Sequence, residues 1–280
     1  MEKSDEIVRP PVVAGMFYPG SKGELKRSVE NYLNNATDIS IKLKKLYGIV
    51  APHAGYIYSA CVAAVGYKLL KKYPSPNVVV IAPSHREYFK GVSIYPGNAF
   101  ETPLGKVPVS DEICETITEN GESIKRSLVG HREEHSLEVQ LPFLQTIFPE
   151  GFNLIPVVMG ANQISTIHEF AQALSEVAEK YEFVVVASSD LSHYYPYNVA
   201  VEKDSRLITL LENYEMEKLE AGYEDQSLEA CGLGPILALM KYAQLSGNPV
   251  CKQLEYKNSG DTSGTKDQVV GYVSAAVYDK

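Results

Sequence analysis

The stretch Phe183-Val184-Val185-Val186-Ala187 is apolar at every one of its positions. A strand that is apolar on both of its faces is typical of the interior of a parallel sheet, where helices cover both sides. Residues 78–82 and 49–51 have the same character, and helical patterns such as residues 163–180 separate runs of this kind. We therefore expect an α/β fold, with one three-layer α/β/α domain over residues 1–280 built on a mixed central sheet.

Three other segments have less regular patterns. Residues 91–100 place apolar side chains between glycines and a proline, which predicts a strand or hairpin at an edge of the sheet. Residues 153–159 predict a strand that Pro156 interrupts. Ser136 is expected to cap a helix that is kinked or starts late, because Pro142 falls inside its apolar pattern.

The composition excludes several classes of protein. A formal net charge of -9 argues against binding to a phosphate backbone, which needs clustered lysine and arginine. The four cysteines are widely spread without a CxxC pair, as expected for reduced thiols in a cytoplasm-like compartment. The first eleven residues are too polar for a signal peptide, and no apolar run approaches the roughly 20 residues of a membrane span. We therefore expect a cytoplasmic protein that binds neither nucleic acid nor membrane.

Each of the three apolar runs leads within a few residues to a histidine. His53 lies in Ala51-Pro52-His53-Ala54-Gly55-Tyr56, His85 follows Pro83-Ser84, and His193 follows Ser188-Ser189-Asp190-Leu191-Ser192. Ligands and catalytic groups collect at the carboxyl ends of strands in open α/β sheets. Neighbouring strands lie about 5 Å apart, so imidazoles after adjacent strands can reach one ion. The alternative for His53 is a helix cap or a hydrogen bond to a buried carbonyl.

Three further residues are candidates for the same site. Cys231 directly precedes a predicted helix, where a thiolate can coordinate a metal or attack an electrophile; the alternative is a small buried apolar residue. Asp190 beside His193 suits an orienting carboxylate with a general acid/base, although an Asx-type turn has the same pattern. His135 lies in Arg132-Glu133-Glu134-His135-Ser136, either as a pocket residue or in a solvated charged loop.

Motifs of several common enzyme classes are missing from the sequence. It contains neither a GxGxxG nor a Walker phosphate loop, the usual nucleotide-binding motifs. It also contains neither HExxH nor GxSxG. The candidate residues therefore have to be interpreted without help from a general catalytic motif.

Taken together, these segments resemble the Memo family, which occurs in archaea, bacteria and animals. The resemblance extends from Ala14-Gly15-Met16-Phe17-Tyr18 to the last predicted strand. The motifs that carry it are Ala51-Pro52-His53-Ala54-Gly55-Tyr56, Pro83-Ser84-His85, Thr102-Pro103-Leu104-Gly105, Glu134-His135-Ser136-Leu137-Glu138, Ser188-Ser189-Asp190 with His193, and Cys231-Gly232. The resemblance implies a fold similar to the catalytic subunits of class III extradiol dioxygenases, which use Fe(II).

The resemblance also implies roles for individual residues. His53, His85 and Cys231 match the metal-ligand positions, while Asp190 and His193 line the same pocket, with His193 as the acid/base. His135 falls on a further pocket position, so His193, Asp190 and His135 are the predicted catalytic residues. Fe(II) is the first expectation for the metal. A thiolate in place of the dioxygenase carboxylate makes copper or zinc the alternatives and removes the ground for expecting ring cleavage.

Three functions follow from this interpretation. The first is a metal-dependent redox enzyme acting on a small-molecule or peptide substrate, with a radical S-adenosylmethionine protein as the partner that the resemblance implies. The second is a zinc-dependent hydrolase, since zinc lowers the pKa of bound water. The third is a non-enzymatic adaptor whose pocket binds a peptide or protein through tyrosines such as Tyr194, Tyr195 and Tyr197.

Overall fold

The computed structural model describes residues 6–280, so the predictions that include Met1 to Asp5 lie partly outside the described residues. The strands are β1 Val8–Arg9, β2 Lys45–Ala51, β3 Asn77–Pro83, β4 Val92–Ile94, β5 Ala99–Thr102, β6 Gly105–Pro108, β7 Ile124–Arg126, β8 Asn153–Met159, β9 Val184–Ser188, β10 Asp190–Tyr195, β11 Pro249–Asn258 and β12 Val269–Asp279. The helices are α1 Lys22–Asn35, α2 Tyr56–Leu70, α3 Asp111–Glu119, α4 His135–Glu138, α5 Leu141–Ile147, α6 Ile164–Val177, α7 Tyr197–Glu212, α8 Met216–Glu224, α9 Leu233–Ser246 and α10 Ser259–Ser263.

Strand β9 lies in the middle of the main sheet. It runs parallel to β2 on one side and to β3 on the other, and β8 continues the parallel arrangement beside β3. Antiparallel strands then extend the sheet, β12 beside β2 and β4 beside β8. Strands β1, β5 and β6 form a separate small sheet. The predicted mixed central sheet is therefore confirmed.

Side chains of β9 alternate between two cores. Val185 and Ala187 pack with helices α6 and α9 on one face, whereas Val184 and Val186 pack with α1, α2 and α5 on the other. All four side chains are buried. Because successive side chains of a strand point to opposite faces, burial on both sides requires an apolar residue at every position. This explains the sequence of the central strand and confirms the α/β/α layers.

Glycine at position 48 of β2 allows close packing with β9 and α9. A Cβ atom there would lie 2.3 Å from the carbonyl oxygen of Val185 and 2.8 Å from Cδ1 of Leu239. A side chain at position 48 would therefore push apart the layers that place the site. No helix within residues 6–280 has the length and apolar character needed to cross a membrane.

The predicted strand within residues 91–100 is present as β4, but its position at an edge and the alternative of a hairpin are wrong. Strands β4 and β5 belong to different sheets, and β4 is an interior strand between β8 and β7. The glycine and proline between them mark the point where the chain passes from one sheet to the other. Alternation of apolar and turn residues could not distinguish this passage from a hairpin, because both need a break in the strand.

Two predictions about proline and capping also need correction. Strand β8 is continuous through Pro156, whose carbonyl accepts a hydrogen bond from the Tyr95 amide at 3.1 Å. Proline has no N–H to return this bond, and Pro156 lies opposite Tyr95, the residue that follows the end of β4. Ser136 lies inside α4, and the cap is Glu134, whose side chain accepts from the Ser136 amide. Pro142 lies in the first turn of a second helix, α5, which begins at Leu141, so the predicted late start is confirmed.

Candidate metal centre

Loops at the carboxyl ends of β2 and β3 carry His53 and His85. The two strands are not neighbours, because β9 lies between them. Their imidazole rings nevertheless meet over the end of β9, with ring centroids 5.1 Å apart. The residues that follow Ala187 at the end of β9 are Ser188 and Ser189, and their side chains are small enough to leave room for the two rings. The two histidines are thus brought together across a third strand, and not between adjacent strands.

A hydrogen-bond network determines the tautomer of His53. The Ser188 hydroxyl donates its single proton to the carbonyl of Ser136 at 2.7 Å and accepts from the Gln140 side-chain amide at 2.8 Å. His53 Nδ1, 2.9 Å from the same oxygen, must therefore donate to it. Burial lowers the pKa of His53 well below its ordinary value, with His85 adding to this effect. The neutral ring thus presents the lone pair of Nε2.

Glu134 orients His85 in the same way. Its carboxylate accepts from His85 Nδ1 at 2.9 Å and from the His85 amide at 2.5 Å, and it also accepts from the Ser136 amide at 3.0 Å. Burial acts to raise the pKa of Glu134, but these hydrogen bonds outweigh it and lower the pKa to about 2. A carboxylate can only accept, so Nδ1 of His85 carries a proton and its Nε2 is left for a ligand.

His135 completes a cluster of three imidazoles. Its ring centroid lies 5.6 Å from that of His53 and 4.9 Å from that of His85, and one ring nitrogen of each residue lies within 4.8 Å of the other two. Burial lowers the pKa of His135 to about 4. Its buried Nδ1 lies 3.2 Å from Glu134 but makes no hydrogen bond. His53 and His135 therefore offer neutral nitrogen donors, and His85 presents its Nε2 atom to the same cluster, as a divalent transition metal requires.

Cys231 contacts the cluster through His53 alone. Its Sγ atom lies 3.0 Å from His53 Nε2 and accepts from the Asp190 amide at 3.3 Å. Burial raises the pKa of Cys231, so the thiol donates to the imidazole in this structure. Gly232 permits the approach, since a Cβ there would lie 2.1 Å from the Ser188 carbonyl oxygen. The structure groups His135 with the other histidines, and Cys231 as a ligand stays a prediction.

Asp190 and His193 line the same cavity, but they do not form the expected hydrogen bond within residues 6–280. Asp190 Oδ1 instead accepts from the amides of His53 at 2.8 Å and Ala54 at 3.3 Å, so it holds the loop that carries His53. His193 belongs to β10, which sequence reasoning missed as a strand. The two backbone amides bind Oδ1, and no hydrogen bond between the described residues joins this carboxylate to His193. The catalytic roles of both residues stay predictions.

Asp190 is expected to make the stability of the chelator-treated protein depend on pH. Burial raises its pKa from 3.8 to about 7, so the folded state favours the neutral carboxyl. The stabilising effect is complete below about pH 4 and is lost as the pH rises through 7. Asp190→Asn keeps the acceptor oxygen without the charge. Unfolding in urea at pH 4, 5.5 and 7 should show a smaller loss of stability for Asp190→Asn than for the wild type. Equal losses would contradict the assignment.

The histidines open into a cavity of about 680 Å³. His53, His85, His135, His193 and Asp190 all line it, whereas Cys231 does not. Of the three tyrosines predicted to crowd this pocket, only Tyr194 lines it; Tyr195 and Tyr197 donate to Glu229 and Asp261. A cavity of this size accommodates a small organic molecule beside the histidines.

Sequence reasoning missed three residues that hold the site together, namely Glu134, Ser188 and Gln140. Glu134 is 1% exposed, so the alternative of a solvated loop around His135 does not describe it. A carboxylate next to a histidine, ahead of apolar residues at helical spacing, was the available signal. Nothing near Ser188 or Gln140 in the sequence indicated that Ser188 would meet His53 and Gln140 would meet Ser188, because these contacts span 135 and 48 residues.

Comparison with known proteins places this architecture in one family. The family profile described as Memo-like protein matches residues 9–276. A MEMO1 family protein of Caldivirga maquilingensis is 36% identical over 97% of this chain and 99% of its own length. One of Saccharolobus solfataricus is 38% identical over 95% and 98%. The crystal structure of an uncharacterized Escherichia coli K12 protein covers 83% of this chain and 99% of its own, with a TM-score of 0.52 and 11% identity, which supports the fold alone.

Proposed function

The chain belongs to the Memo family, and on that premise we propose that it is a metal-dependent redox enzyme acting on a small organic substrate. The observation that carries the proposal is the cluster of His53, His85 and His135, whose ring nitrogens lie within 4.8 Å of one another. The Nδ1 atoms of His53 and His85 donate to Ser188 and Glu134, which is the usual arrangement of histidine ligands. The lining of the cavity by the same histidines gives a substrate access to them.

The donor set fits a transition metal. His53 and His85 would hold it through Nε2, because hydrogen bonds to Ser188 and Glu134 occupy their Nδ1 atoms. Either Cys231 or His135 would supply the third ligand. Iron is the first expectation and copper the next, and such an ion would supply the electron transfer of a redox reaction.

Two other side chains of the cavity would handle protons. Asp190 accepts two amide hydrogen bonds on Oδ1, and its raised pKa of about 7 lets Oδ2 hold or release a proton near neutrality. Burial lowers the pKa of His193, so its ring is neutral and can accept a proton from a substrate. In this proposal His193 acts as the general base, and Asp190 holds a proton that it can release.

Zinc-dependent hydrolysis is the second candidate, and the three-histidine cluster favours it. Three histidines with an open fourth position are one of the ligand sets of catalytic zinc. In that case His193 would accept a proton from the nucleophilic water. Zinc undergoes no redox change, so the identity of the metal separates the two candidates.

Metal analysis of anaerobically purified protein tests the proposal. The wild type is expected to contain close to one iron or copper per chain, and His53→Ala and His85→Ala are expected to contain none. Comparing Cys231→Ala with His135→Ala identifies the third ligand. His168→Ala is the control, because His168 pairs with Glu220 away from the cluster.

Each other outcome has a definite meaning. Stoichiometric zinc, lost in the same variants, would replace the redox proposal with the hydrolase. No metal under any loading condition would reject both enzymes and leave the adaptor, in which the cavity binds a peptide.

We also propose, on the resemblance alone, a radical S-adenosylmethionine protein as partner. The cytoplasm is the proposed compartment, since Cys61, Cys114, Cys231 and Cys251 are all free thiols.

A further inference from the structure

Aromatic rings line the cavity beyond its histidines. They belong to Phe17, Tyr58, Tyr194 and Tyr272. Tyr272 is buried, Tyr58 is 38% exposed and Tyr194 is 69% exposed, so the rings extend from the interior of the cavity to its mouth. The face of an aromatic ring carries partial negative charge and attracts cations. Such a lining suits a ligand with a positively charged group.

The described part of the lining carries no fixed positive charge, which favours the same kind of ligand. Among the described residues that line it, Asp190 is the one carboxylate, and none is a lysine or arginine. Arg86 acts on His135 from outside the lining and is itself exposed to solvent. The net charge of -9 also favours the approach of a cation. An anion would meet no fixed positive side chain within the lining.

Tyr194 is held at the mouth by an unusual backbone. Its φ is 63°, in the left-handed region that disfavours a tyrosine, and the β10–β12 pairing changes register on both sides of His193. The next residue, Tyr195, is held away from the cavity by two contacts. Its hydroxyl donates to Glu229, and the Lys203 ammonium group lies over its ring. Strained residues and β-bulges of this kind occur preferentially at functional sites, where they re-aim a side chain. Here they expose the Tyr194 ring beside His193, with centroids 5.8 Å apart.

We propose that the cavity binds an organic cation, an amine or a quaternary ammonium compound, with its positive group against the rings of Tyr58 and Tyr194. The inference rests on the proposed function, because it names the substrate class of the same cavity. Ser259, Thr265 and Gln268 on the remaining part of the lining provide hydrogen bonds for the rest of the ligand.

Choline and its neutral isostere 3,3-dimethylbutan-1-ol are a matched pair of probes, since they share shape and differ in charge. Ligand-observed NMR titration of the purified protein, before and after chelation, measures the dissociation constant of each. Choline is expected to bind at least about fivefold more tightly than the alcohol in both samples, which is the scale of cation–π attraction. Equal affinities would overturn the proposal, because the rings would then act only as an apolar surface.

Variants of the rings provide the second arm. Tyr194→Leu and Tyr58→Leu should each weaken choline binding about 2- to 5-fold, while Tyr194→Phe and Tyr58→Phe retain it, because phenylalanine keeps the ring face. Tyr88→Leu is the matched control, since Tyr88 is 82% exposed and does not line the cavity. Two positions are used so that a folding defect at the strained Tyr194 does not decide the result. Undiminished binding in both leucine variants would overturn the proposal.

The two proposals fail in distinguishable ways. Choline preference in a protein that binds no metal under any loading condition would reject the redox enzyme and support the cation site. Stoichiometric iron or copper with no preference for choline would support the redox enzyme and reject the cation site.

Discussion

Replacing Glu138 with leucine is expected to lower the free energy of unfolding by about 3–5 kcal/mol, the usual cost of removing one partner of a buried ion pair. Glu138 is fully buried and contacts the Arg9 guanidinium at 2.5 Å. Its carboxylate also accepts from the amides of Val12 and Val13 and from the Tyr18 hydroxyl. The substitution therefore leaves four donors without their acceptor.

Arg9→Met is expected to cost less than Glu138→Leu. Arg9 donates to the carbonyls of His131 and Glu134 as well as to Glu138. After its removal the carboxylate retains three of its four donors. Glu138→Leu removes the counter-charge of the guanidinium and also leaves two backbone amides and the Tyr18 hydroxyl without this acceptor. Each buried donor that loses its acceptor adds a desolvation cost, so Glu138→Leu is expected to cost more.

Urea unfolding of both variants at pH 7 measures this ranking. Glu133→Leu is the matched control, because Glu133 is an exposed carboxylate on the same segment. A decrease of under about 1 kcal/mol for Glu138→Leu, typical of an exposed pair, would show that Glu138 is not buried as described. The Arg9–Glu138 pair also fixes the segment that carries His135, so loss of structure there should extend to the candidate metal centre.

Glu134→Ala is expected to weaken metal binding about 10- to 100-fold, the range found when an outer hydrogen-bond partner of a ligating histidine is removed. Glu134 holds both the Nδ1 atom and the backbone amide of His85. Without it, His85 loses its fixed tautomer and ring orientation while keeping its nitrogen donors. The effect should therefore appear as weaker affinity and not as a change in the number of ions bound.

Competition with a chelator of known affinity measures the change for the metal found in the wild type. Glu133→Ala removes the neighbouring carboxylate, which is exposed, and is expected to leave the affinity unchanged. Unaltered affinity in Glu134→Ala, with His85→Ala still unable to bind, would show that Glu134 has only a structural role. Equal losses in the two glutamate variants would point to a general charge effect.

The sheet was predictable because its signals are local. The uninterrupted apolar run of β9 and its flanking helical patterns identify a strand buried on both faces. The same locality explains the failures. The structure of residues 91–100, and of the strand that contains Pro156, depends on which strand lies alongside. Local sequence does not specify that neighbour. Strand order also decided that β9 separates β2 from β3.

Residues of the candidate site were likewise predictable only where their signals are local. Proline and serine turns after the apolar runs identified His53, His85, Asp190 and His193 as residues at one edge of the sheet. The charged residues around His135 resembled those of a solvated loop. Local sequence does not indicate a distant partner, and the Arg9 partner of Glu138 lies 129 residues away. Burial of Glu134 likewise follows from contacts made only after folding.

The sequence alone therefore determined the family, the α/β layers and the edge of the sheet where the histidines lie. Tertiary structure decided that His135 joins His53 and His85, that Asp190 binds backbone amides, and that Tyr194 faces the cavity. The physical reason is that side-chain periodicity and turn residues act between neighbours along the chain. Hydrogen-bond partners and pKa shifts depend instead on which distant segments the strand order brings together.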